Sequence, residues 1–579
     1  MNRTRPAVVL TILAVVLLGG CVDLPTNGPV VEVDGAEEQE AERASDFDPR
    51  PPQVGASRQE VVNGFLEAMM AWPISTRVAK EYLTDDAAEE WSPGSTVIYT
   101  ELGTAREDGS TVSIRMGDAA LLDESGGWRG VLTRDRSVLR FRLTVENGEF
   151  RIIDPMDALV VRTSWFQDRY RQASLFYFDP TAQVLVPEPV FVPVGGTFAT
   201  TLVTALLAGP PARLRDVVST FLPSGLSVGL SVVVSDGVAV LDLRGEAPRT
   251  SAAEAELMLA QLAATLRQDP SITALRVTLD GEELDLPGAE TQYDVGAADE
   301  FDPTDTGSEG VLYGLRRGRL VVGGFGELDA VNGPFGRVAH DLASVAVSPG
   351  GRRVAAVTGD RRQALVGPLR APREDGRGIE VLTDGTDLTR PTWDASGRLW
   401  LLDRGPGGAR LLVSDDRSTV REVEVAGVTG TDARRILVSR DGTRLVALIG
   451  DADGDRLVAV RIVLSPLGRV EGAVDPTVIW SVRGSRATDV AWAGPAQVAV
   501  LTPTRPGELF ELETVAADGA TVGVDTLSTI VSGRVVGLAA EPWPETPIYA
   551  VARDGLIDIS SSGDRVTTDI RARELDYAG

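Results

Sequence analysis

Cys21 is the only cysteine in the 579-residue chain, and it follows a segment with the features of an export signal. The chain begins with two arginines among its first five residues, continues with an apolar run from Ala7 to Leu18, and reaches Cys21 through Gly19 and Gly20. A positive start, a short apolar stretch and small residues before the cleavage point are the three parts of a secretory signal. The apolar run is shorter than the roughly 20 residues of a membrane-spanning helix. The pattern predicts cleavage before Cys21 and export of the rest of the chain.

The segment Leu18-Gly19-Gly20-Cys21 resembles a lipobox, in which the cysteine sulfur receives a diacylglyceryl group before the signal is removed. An exported chain with one cysteine has no internal disulfide partner for it, so the sulfur is available for another use. We predict lipidation at Cys21 and a lipid-anchored location on the extracytoplasmic face of the cell membrane. The alternative is an ordinary secretory signal followed by an unrelated cysteine.

The other residues that could do chemistry form few recognisable constellations. His340 is the sole histidine, so a catalytic triad, a His-rich zinc site and a His–Cys pair would all need the same residue. The segment Gly225-Leu226-Ser227-Val228-Gly229 has the spacing of a nucleophile elbow, but that motif needs a strand-to-helix turn and here leads into further strand sequence. We interpret it as a coincidence.

A run of acidic residues from Asp451 to Asp455 is similar to the start of a calcium loop. Arg456 stands where the loop needs glycine, and Ile462 stands where it needs the bidentate glutamate. We interpret the run as a solvated turn, with a surface calcium site as the minority alternative. The sequence predicts no catalytic residues, no cofactor, no metal and no enzymatic activity.

The net charge of −28 argues against nucleic acid as a partner, because phosphate binding needs a basic surface. Residues 21–56 are acidic, contain prolines and have few large apolar side chains, which predicts a disordered tether. A capping box at Ser57 and Glu60 then starts a helix. Two short helices and a series of period-two strands follow, with Asn147-Gly148 as a hairpin turn. The order predicts an α+β domain, NTF2-like and cone-shaped, over 57–170.

A second unit follows an extended connection at 171–195. It has a helix near Thr200–Ala208, a hairpin around Asp236-Gly237 and a strong amphipathic helix over Ala252–Arg267. These elements predict an α/β domain, and the acidic, glycine-bearing residues 288–309 read as a linker.

From about residue 310 the chain repeats a strand, a polar glycine turn and another strand at intervals of about 45–54 residues. The clearest copies begin at Ser344, Pro391 and Ile436, and weaker ones begin at Val490 and Val536. Units of this length with about four short strands each are typical of a β-propeller. We predict about six blades, with the two ends of the repeat region sharing one blade. Unrelated hairpins in a sandwich are the alternative.

The order of these parts resembles the actinobacterial LpqB lipoprotein family. The resemblance rests on the lipobox at Cys21, the Gln59–Ala68 helix, the segment Leu207-Ala208-Gly209-Pro210-Pro211 and the strands from Ser344 to Val354. The middle unit looks like a GerMN domain, a module of sporulation and germination proteins. The resemblance implies a multidomain, mainly β protein and brings with it no catalytic residues.

The resemblance also implies a function. LpqB proteins are thought to contact the extracellular part of the sensor kinase MtrB, of the MtrA–MtrB two-component system, and to influence envelope homeostasis and cell division. We therefore expect a non-enzymatic, membrane-anchored regulator whose partner is an MtrB-like ectodomain. The alternatives are a cell-wall glycan-binding protein, an envelope enzyme, and a sensor with a small ligand in its N-terminal cone.

The predicted division of the chain has six parts. They are a lipoprotein signal peptide at 1–20, a tether at 21–56, the NTF2-like domain at 57–170, the GerMN-like domain at 171–287, a linker at 288–309 and the propeller at 310–579.

Overall fold

The computed structural model describes most of the chain from Phe47 onward. The described residues are 47–245, 251–283, 291–303, 310–370, 378–415, 419–522, 528–543, 546–559, 567–568 and 570–579. They belong to one compact unit, Asp46–Gly579. The predicted signal peptide, Cys21 and most of the tether lie outside the described residues. No helix within the described ranges is long and apolar enough to cross a membrane.

The N-terminal domain begins with the predicted capping box. The Glu60 amide donates to the Ser57 hydroxyl at 3.3 Å, and the Ser57 amide donates to the Glu60 carboxylate at 2.8 Å. Two N–H groups that the helix would leave unpaired are thereby satisfied. The helices of this domain are α1 (Arg58–Ala68), α2 (Arg77–Lys80) and α3 (Asp85–Glu90).

Eight strands and one further helix complete this domain. They are β1 (Ser95–Tyr99), β2 (Arg106–Asp108), β3 (Thr111–Arg115), β4 (Ala120–Leu122), β5 (Trp128–Val131), β6 (Val138–Glu146), β7 (Glu149–Ile152), β8 (Ala158–Arg162) and α4 (Thr163–Arg169). The strands form two four-stranded sheets, in the orders β5-β4-β1-β8 and β2-β3-β6-β7. Apolar residues alternate along β6, so one face of its sheet packs on the core with α1.

The predicted tether ends earlier than its sequence indicates. Phe47 exchanges two backbone hydrogen bonds with Trp72, both 3.0 Å long. The Tyr82 hydroxyl donates to the Arg50 carbonyl at 2.8 Å. Residues 47–56 therefore pack on the N-terminal domain, because contacts distant in sequence compensate the ordering entropy that their composition alone does not.

The middle domain opens with a long hairpin where the sequence predicted a plain connection. Strands β9 (Tyr170–Phe178) and β10 (Leu185–Pro193) pair in antiparallel register over their whole length. The elements that follow are α5 (Phe198–Leu207), β11 (Ser227–Val228), β12 (Val233–Ser235), β13 (Val238–Arg244), α6 (Ala252–Leu266), β14 (Ala274–Leu279), β15 (Glu282–Glu283) and β16 (Tyr293–Asp294). Helix α6 connects the parallel pair β13 and β14 and packs against β9.

Part of the predicted linker 288–309 belongs to this domain. Strand β16 pairs with β14, and a 3₁₀ helix follows over Val295–Phe301. Ala298 is fully buried there, and Arg267 binds Asp299 and Asp302. An acidic, glycine-bearing segment thus gains order from a basic side chain of the helix beside it.

The remaining elements form a six-bladed propeller, which confirms the predicted C-terminal architecture. Its first strands and helix are β17 (Leu312–Arg316), β18 (Arg319–Gly323), β19 (Leu328–Ala330), α7 (Pro334–Arg337), β20 (Leu342–Val347), β21 (Arg353–Thr358), β22 (Gln363–Pro368), β23 (Glu380–Asp384), β24 (Thr392–Trp393), β25 (Leu399–Gly405), β26 (Gly408–Ser414) and β27 (Val420–Val423). The later strands are β28 (Ala433–Val438), β29 (Arg444–Asp451), β30 (Gly454–Leu464), β31 (Val470–Arg483), β32 (Asp489–Gly494), β33 (Gln497–Arg505), β34 (Leu509–Ala516), β35 (Thr529–Ser532), β36 (Val535–Ala539), β37 (Tyr549–Ala552), β38 (Gly555–Asp558), β39 (Thr567–Thr568) and β40 (Arg573–Asp576).

The two ends of the repeat region share one blade, as the sequence predicted. Strand β40 pairs antiparallel with β17, in a sheet of order β19-β18-β17-β40, and five further sheets each hold four consecutive strands. Pairing across the ends removes the exposed edges that an open ring of blades would leave. Leu575, on β40, is 1% exposed and contributes its apolar side chain to the core of this shared blade.

Replacing Leu575 with alanine is expected to lower the free energy of unfolding by about 2–5 kcal/mol, because the buried side chain leaves a cavity in the closing blade. Chemical denaturation followed by tryptophan fluorescence measures the loss. The matched control is Arg573→Ala on the same strand, an exposed position for which a change within about 0.5 kcal/mol is expected. Equal losses in both variants would contradict this role of Leu575.

Candidate functional site

The predicted site residue, Cys21, lies outside the described residues, and its lipidation stays a prediction. The described part of the chain contains no group of three or more His, Cys, Asp or Glu side chains that could hold a metal ion. The other residues considered for chemistry, His340, Ser227 and the acidic run 451–455, make contacts that stabilise the fold.

His340 is half-buried at the start of the second blade. One of its ring nitrogens, Nε2, lies 3.1 Å from the Pro334 carbonyl oxygen, and the ring packs beside Phe335 with centroids 5.8 Å apart. All three residues lie between β19 and β20, so these contacts order that connection. Ser227 lies in β11, a strand and not a strand-to-helix turn, and its hydroxyl donates to the Arg244 carbonyl at 3.4 Å.

The acidic run 451–455 forms the turn between β29 and β30. Asp451 accepts from Arg456 at 3.0 Å. Asp455 is buried, and it accepts from Arg486 at 3.1 Å and from the Ala487 amide at 2.8 Å. The carboxylates of Asp451 and Asp455 are thus engaged with cationic groups and backbone.

The repeated polar positions of the propeller are structural as well. Asp394 is fully buried and accepts from Arg398 Nε at 2.6 Å and from Trp400 Nε1 at 3.0 Å. The Ser439 hydroxyl accepts from the Arg444 amide at 3.0 Å and donates to Asp441 at 2.8 Å. These contacts fix the glycine turns of these two repeats.

The most unusual constellation is a buried glutamate surrounded by three arginines, which we call the Glu188 junction. Glu188, on β10, is 3% exposed. Its carboxylate accepts from Arg213 of the middle domain at 2.5 Å, and from the propeller residues Arg444 at 3.0 Å and Arg461 at 2.5 Å. Arg444 opens β29 and Arg461 lies on the neighbouring β30. One carboxylate thus connects the middle domain to the third full blade of the propeller.

The electrostatics of the Glu188 junction keep Glu188 and Arg461 charged near neutral pH. Burial alone would raise the pKa of Glu188, but the guanidinium groups of Arg461, Arg213 and Arg444 lower it to about 2. Burial and the like charge of Arg444 lower the pKa of Arg461 to about 10. The three arginines exceed the glutamate by two positive charges.

The same strand also contacts the N-terminal domain. The Phe191 amide donates to the Gly126 carbonyl at 2.9 Å. Gly126 has φ +82°, and a side chain there would meet the Phe191 carbonyl oxygen at 2.3 Å. Strand β10 therefore touches all three domains, and a glycine permits its contact with the N-terminal domain.

Sequence reasoning missed the Glu188 junction because Pro187-Glu188-Pro189 looks like a linker. The available signal was a single carboxylate inside an otherwise apolar run, Val184 to Val192. A buried acid needs a partner, and that need indicates a salt bridge without naming the arginines.

A pocket of about 810 Å³ lies between the N-terminal and middle domains. It is lined by apolar residues such as Leu121, Leu159 and Phe191, and by the hydroxyls of Thr200 and Thr204. Its volume falls in the range of small-molecule sites, which are mostly apolar with a few polar groups.

Comparison with known proteins identifies the three parts. Residues 51–167 match the N-terminal domain of lipoprotein LpqB, residues 174–285 match the Germane domain of sporulation and spore germination, and residues 318–565 match the LpqB beta-propeller domain. No catalytic activity is part of these family descriptions.

Curated relatives match along almost the whole chain. Lipoprotein LpqB of Thermobifida fusca is 29% identical, over 98% of this chain and 97% of the relative, and that of Streptomyces coelicolor is 27% identical, over 97% and 96%. The first GerMN domain of the Bacillus subtilis sporulation protein GerM is 22% identical over 21% of this chain and 91% of that domain. Its TM-score of 0.18 is too low to support an argument.

Replacing Glu188 with glutamine is expected to lower the free energy of unfolding by about 3–5 kcal/mol, because three buried arginines lose their counter-ion. The matched control is Glu422→Gln, which breaks a half-exposed pair with Arg410 and should cost less than about 1 kcal/mol. Urea denaturation at pH 7 measures both, and a loss no larger at Glu188 than at Glu422 would contradict the role of the Glu188 junction.

The pH dependence gives the same prediction an independent readout. The pKa of Glu188 is lower in the folded protein than its ordinary value of 4.5, so its stabilisation is complete above about 4.5 and is lost as pH falls toward about 2. The E188Q variant lacks this part of the acid-induced decline.

Proposed function

We propose that this chain, which belongs to the LpqB family of lipoproteins, is a lipid-anchored extracytoplasmic accessory of a sensor kinase and binds the kinase ectodomain without catalysis. In this proposal the anchor is the lipid on Cys21, and binding affects envelope homeostasis and cell division. The finding that carries the proposal is the match of almost the whole chain to lipoproteins LpqB, with the N-terminal domain and the propeller each matching a domain of that family. Lipoprotein membership implies a membrane-anchored, extracytoplasmic location.

The Glu188 junction supports a binding role. It fixes the middle domain against the propeller through buried ion pairs, and β10 also contacts the N-terminal domain. A preorganised scaffold pays little ordering entropy when a partner docks, so its surface loops can bind as a fixed array.

The surroundings of the candidate chemical residues support the absence of catalysis in the proposal. His340 bonds a backbone carbonyl, Ser227 lies in a strand, and Asp455 is engaged by arginine and backbone. A hydrolase would need a nucleophile and a base within hydrogen-bond reach of each other.

The pocket of about 810 Å³ favours one second candidate, a ligand sensor whose occupancy changes the relation of the N-terminal and middle domains. Cell-wall glycan binding by the propeller is the remaining alternative.

Crosslinking in intact membranes, read out by mass spectrometry, tests the proposed partner. We expect crosslinks between this chain and the sensor-kinase ectodomain, and retention of the purified protein on that ectodomain. Sedimentation with cell wall is the parallel assay, and wall binding without kinase binding would reverse the order of the two functions. The E188Q variant tests the scaffold argument, since loosened domains should bind the ectodomain more weakly.

Replacing Cys21 with alanine is expected to move the protein out of the membrane fraction, because it removes the only thiol that can be lipidated. A lipobox cysteine carries more than one acyl chain, and stable anchoring needs more than one. The melting temperature of the unit Asp46–Gly579 should stay unchanged, since this unit does not include Cys21. Thr26→Ala is the control and should remain in the membrane. A Cys21→Ala protein that stays in the membrane fraction would refute the anchor.

A further inference from the structure

We propose that a cavity at the meeting point of the three domains binds a small oxyanion with the size and charge of a phosphate group. The cavity measures about 110 Å³ and is lined by residues of all three domains. Its arginines are Arg129 from the N-terminal domain, Arg213 from the middle domain, and Arg444 and Arg461 from the propeller. This inference goes beyond the proposed function and does not depend on a kinase partner.

The first argument is the number of donors that the Glu188 junction leaves unused. Arg213, Arg444 and Arg461 each bind Glu188 through one nitrogen, Nη2. Among the described residues nothing accepts from Arg213 Nε, from Nε and Nη1 of Arg444, or from Arg461 Nη1, and all four atoms are buried. Arg444 is 1% exposed and Arg461 is 7% exposed. Buried N–H groups are costly without an acceptor, and an oxyanion supplies several acceptors at once.

The second argument is the charge around the cavity. Glu188 forms ion pairs with three of the four arginines that line the cavity. The acidic residues that line the cavity are Asp475 and Asp518. Burial raises the pKa of Asp518 above its ordinary value. The remaining excess of guanidinium charge favours an anion.

The third argument is size and access. A single water needs roughly 10–15 Å³ of such space, so the cavity has room for a polyatomic ion. Arg129, Asp475 and Thr477 are exposed, and they form the side of the cavity that faces solvent. The planar guanidinium fork matches the geometry of phosphate oxygens, which selects this ligand class over a halide.

An ion bound here would contact all three domains at once. Any ligand that binds the folded protein and not the unfolded chain raises its stability. The oxyanion would therefore reinforce the same domain arrangement that Glu188 holds.

The experiment uses full-length protein purified in detergent. Thermal unfolding is followed during titration with inorganic phosphate, with sodium chloride at equal ionic strength as the reference. We expect a saturable rise in melting temperature with phosphate and none with chloride, and calorimetry should give one site per chain. A phosphate curve that follows the chloride curve would overturn the proposal.

Two substitutions at exposed arginines separate specific binding from a general salt effect. Arg129→Gln should weaken phosphate binding roughly tenfold or more, since it removes one charge-assisted hydrogen bond. The matched control, Arg505→Gln, removes an exposed arginine that does not line the cavity and should leave the affinity unchanged. Equal affinities of these two variants would overturn the proposal.

Asp475→Asn tests for the opposite effect, an increase in phosphate affinity. Asp475 lines the cavity and acts electrostatically on Arg213, so removing its charge should tighten phosphate binding severalfold. Its φ of +56° is a conformation that asparagine tolerates well, so the backbone should be unchanged. Weaker binding by this variant would count against the site.

Glycerol phosphate is the second probe and distinguishes the source of the phosphate. Binding of both probes would assign a phosphate ester, such as the end of a larger molecule, to the open side of the cavity. Binding of inorganic phosphate alone would assign the free ion.

Discussion

The arrangement of the domains depends on the carboxylate of Glu188. A lone charge buried in an apolar strand would cost several kcal/mol, and here three guanidinium groups offset that cost. The compensation is mutual, because the arginines are buried too. Separating the hairpin from the propeller would leave Arg444 and Arg461 without their counter-ion, so the ion cluster selects one relative orientation of the domains.

Strand β10 extends this constraint to the N-terminal domain. Three residues after Glu188, Phe191 packs into the N-terminal core and bonds the Gly126 carbonyl. Strand β10, one half of a hairpin, thus contacts all three domains. The proposed binding role follows from this, because a scaffold held in one shape presents its surface loops in fixed positions.

In the propeller, acidic residues of the kind that often act in catalysis stabilise the fold instead. Asp394 holds Arg398 and Trp400 inside a blade, and Asp455 holds Arg486 at a blade junction. Both of these buried acids are paired with arginines, because burying a charge without a partner is costly. The Glu188 junction has three arginines for one acid and adjoins a cavity, which makes that cavity a candidate anion site.

The sequence by itself determined many of the elements that depend on near neighbours. Alternating apolar residues indicated strands such as 138–146, Asn147-Gly148 a hairpin turn, Ser57 and Glu60 a helix start, and a repeat at similar intervals about six blades. The lipobox at Cys21 is likewise a local pattern, and it stays a prediction.

Only the tertiary structure decided where charges meet. Glu188 lies 256 residues from Arg444 and 273 from Arg461, and no periodicity connects positions so far apart. The tether near Phe47 and the linker near Ala298 gained order for the same reason, through partners that composition does not reveal. Secondary structure follows from short-range sterics and hydrophobic period, whereas domain contacts depend on complementary charge and shape that exist only once the chain has folded.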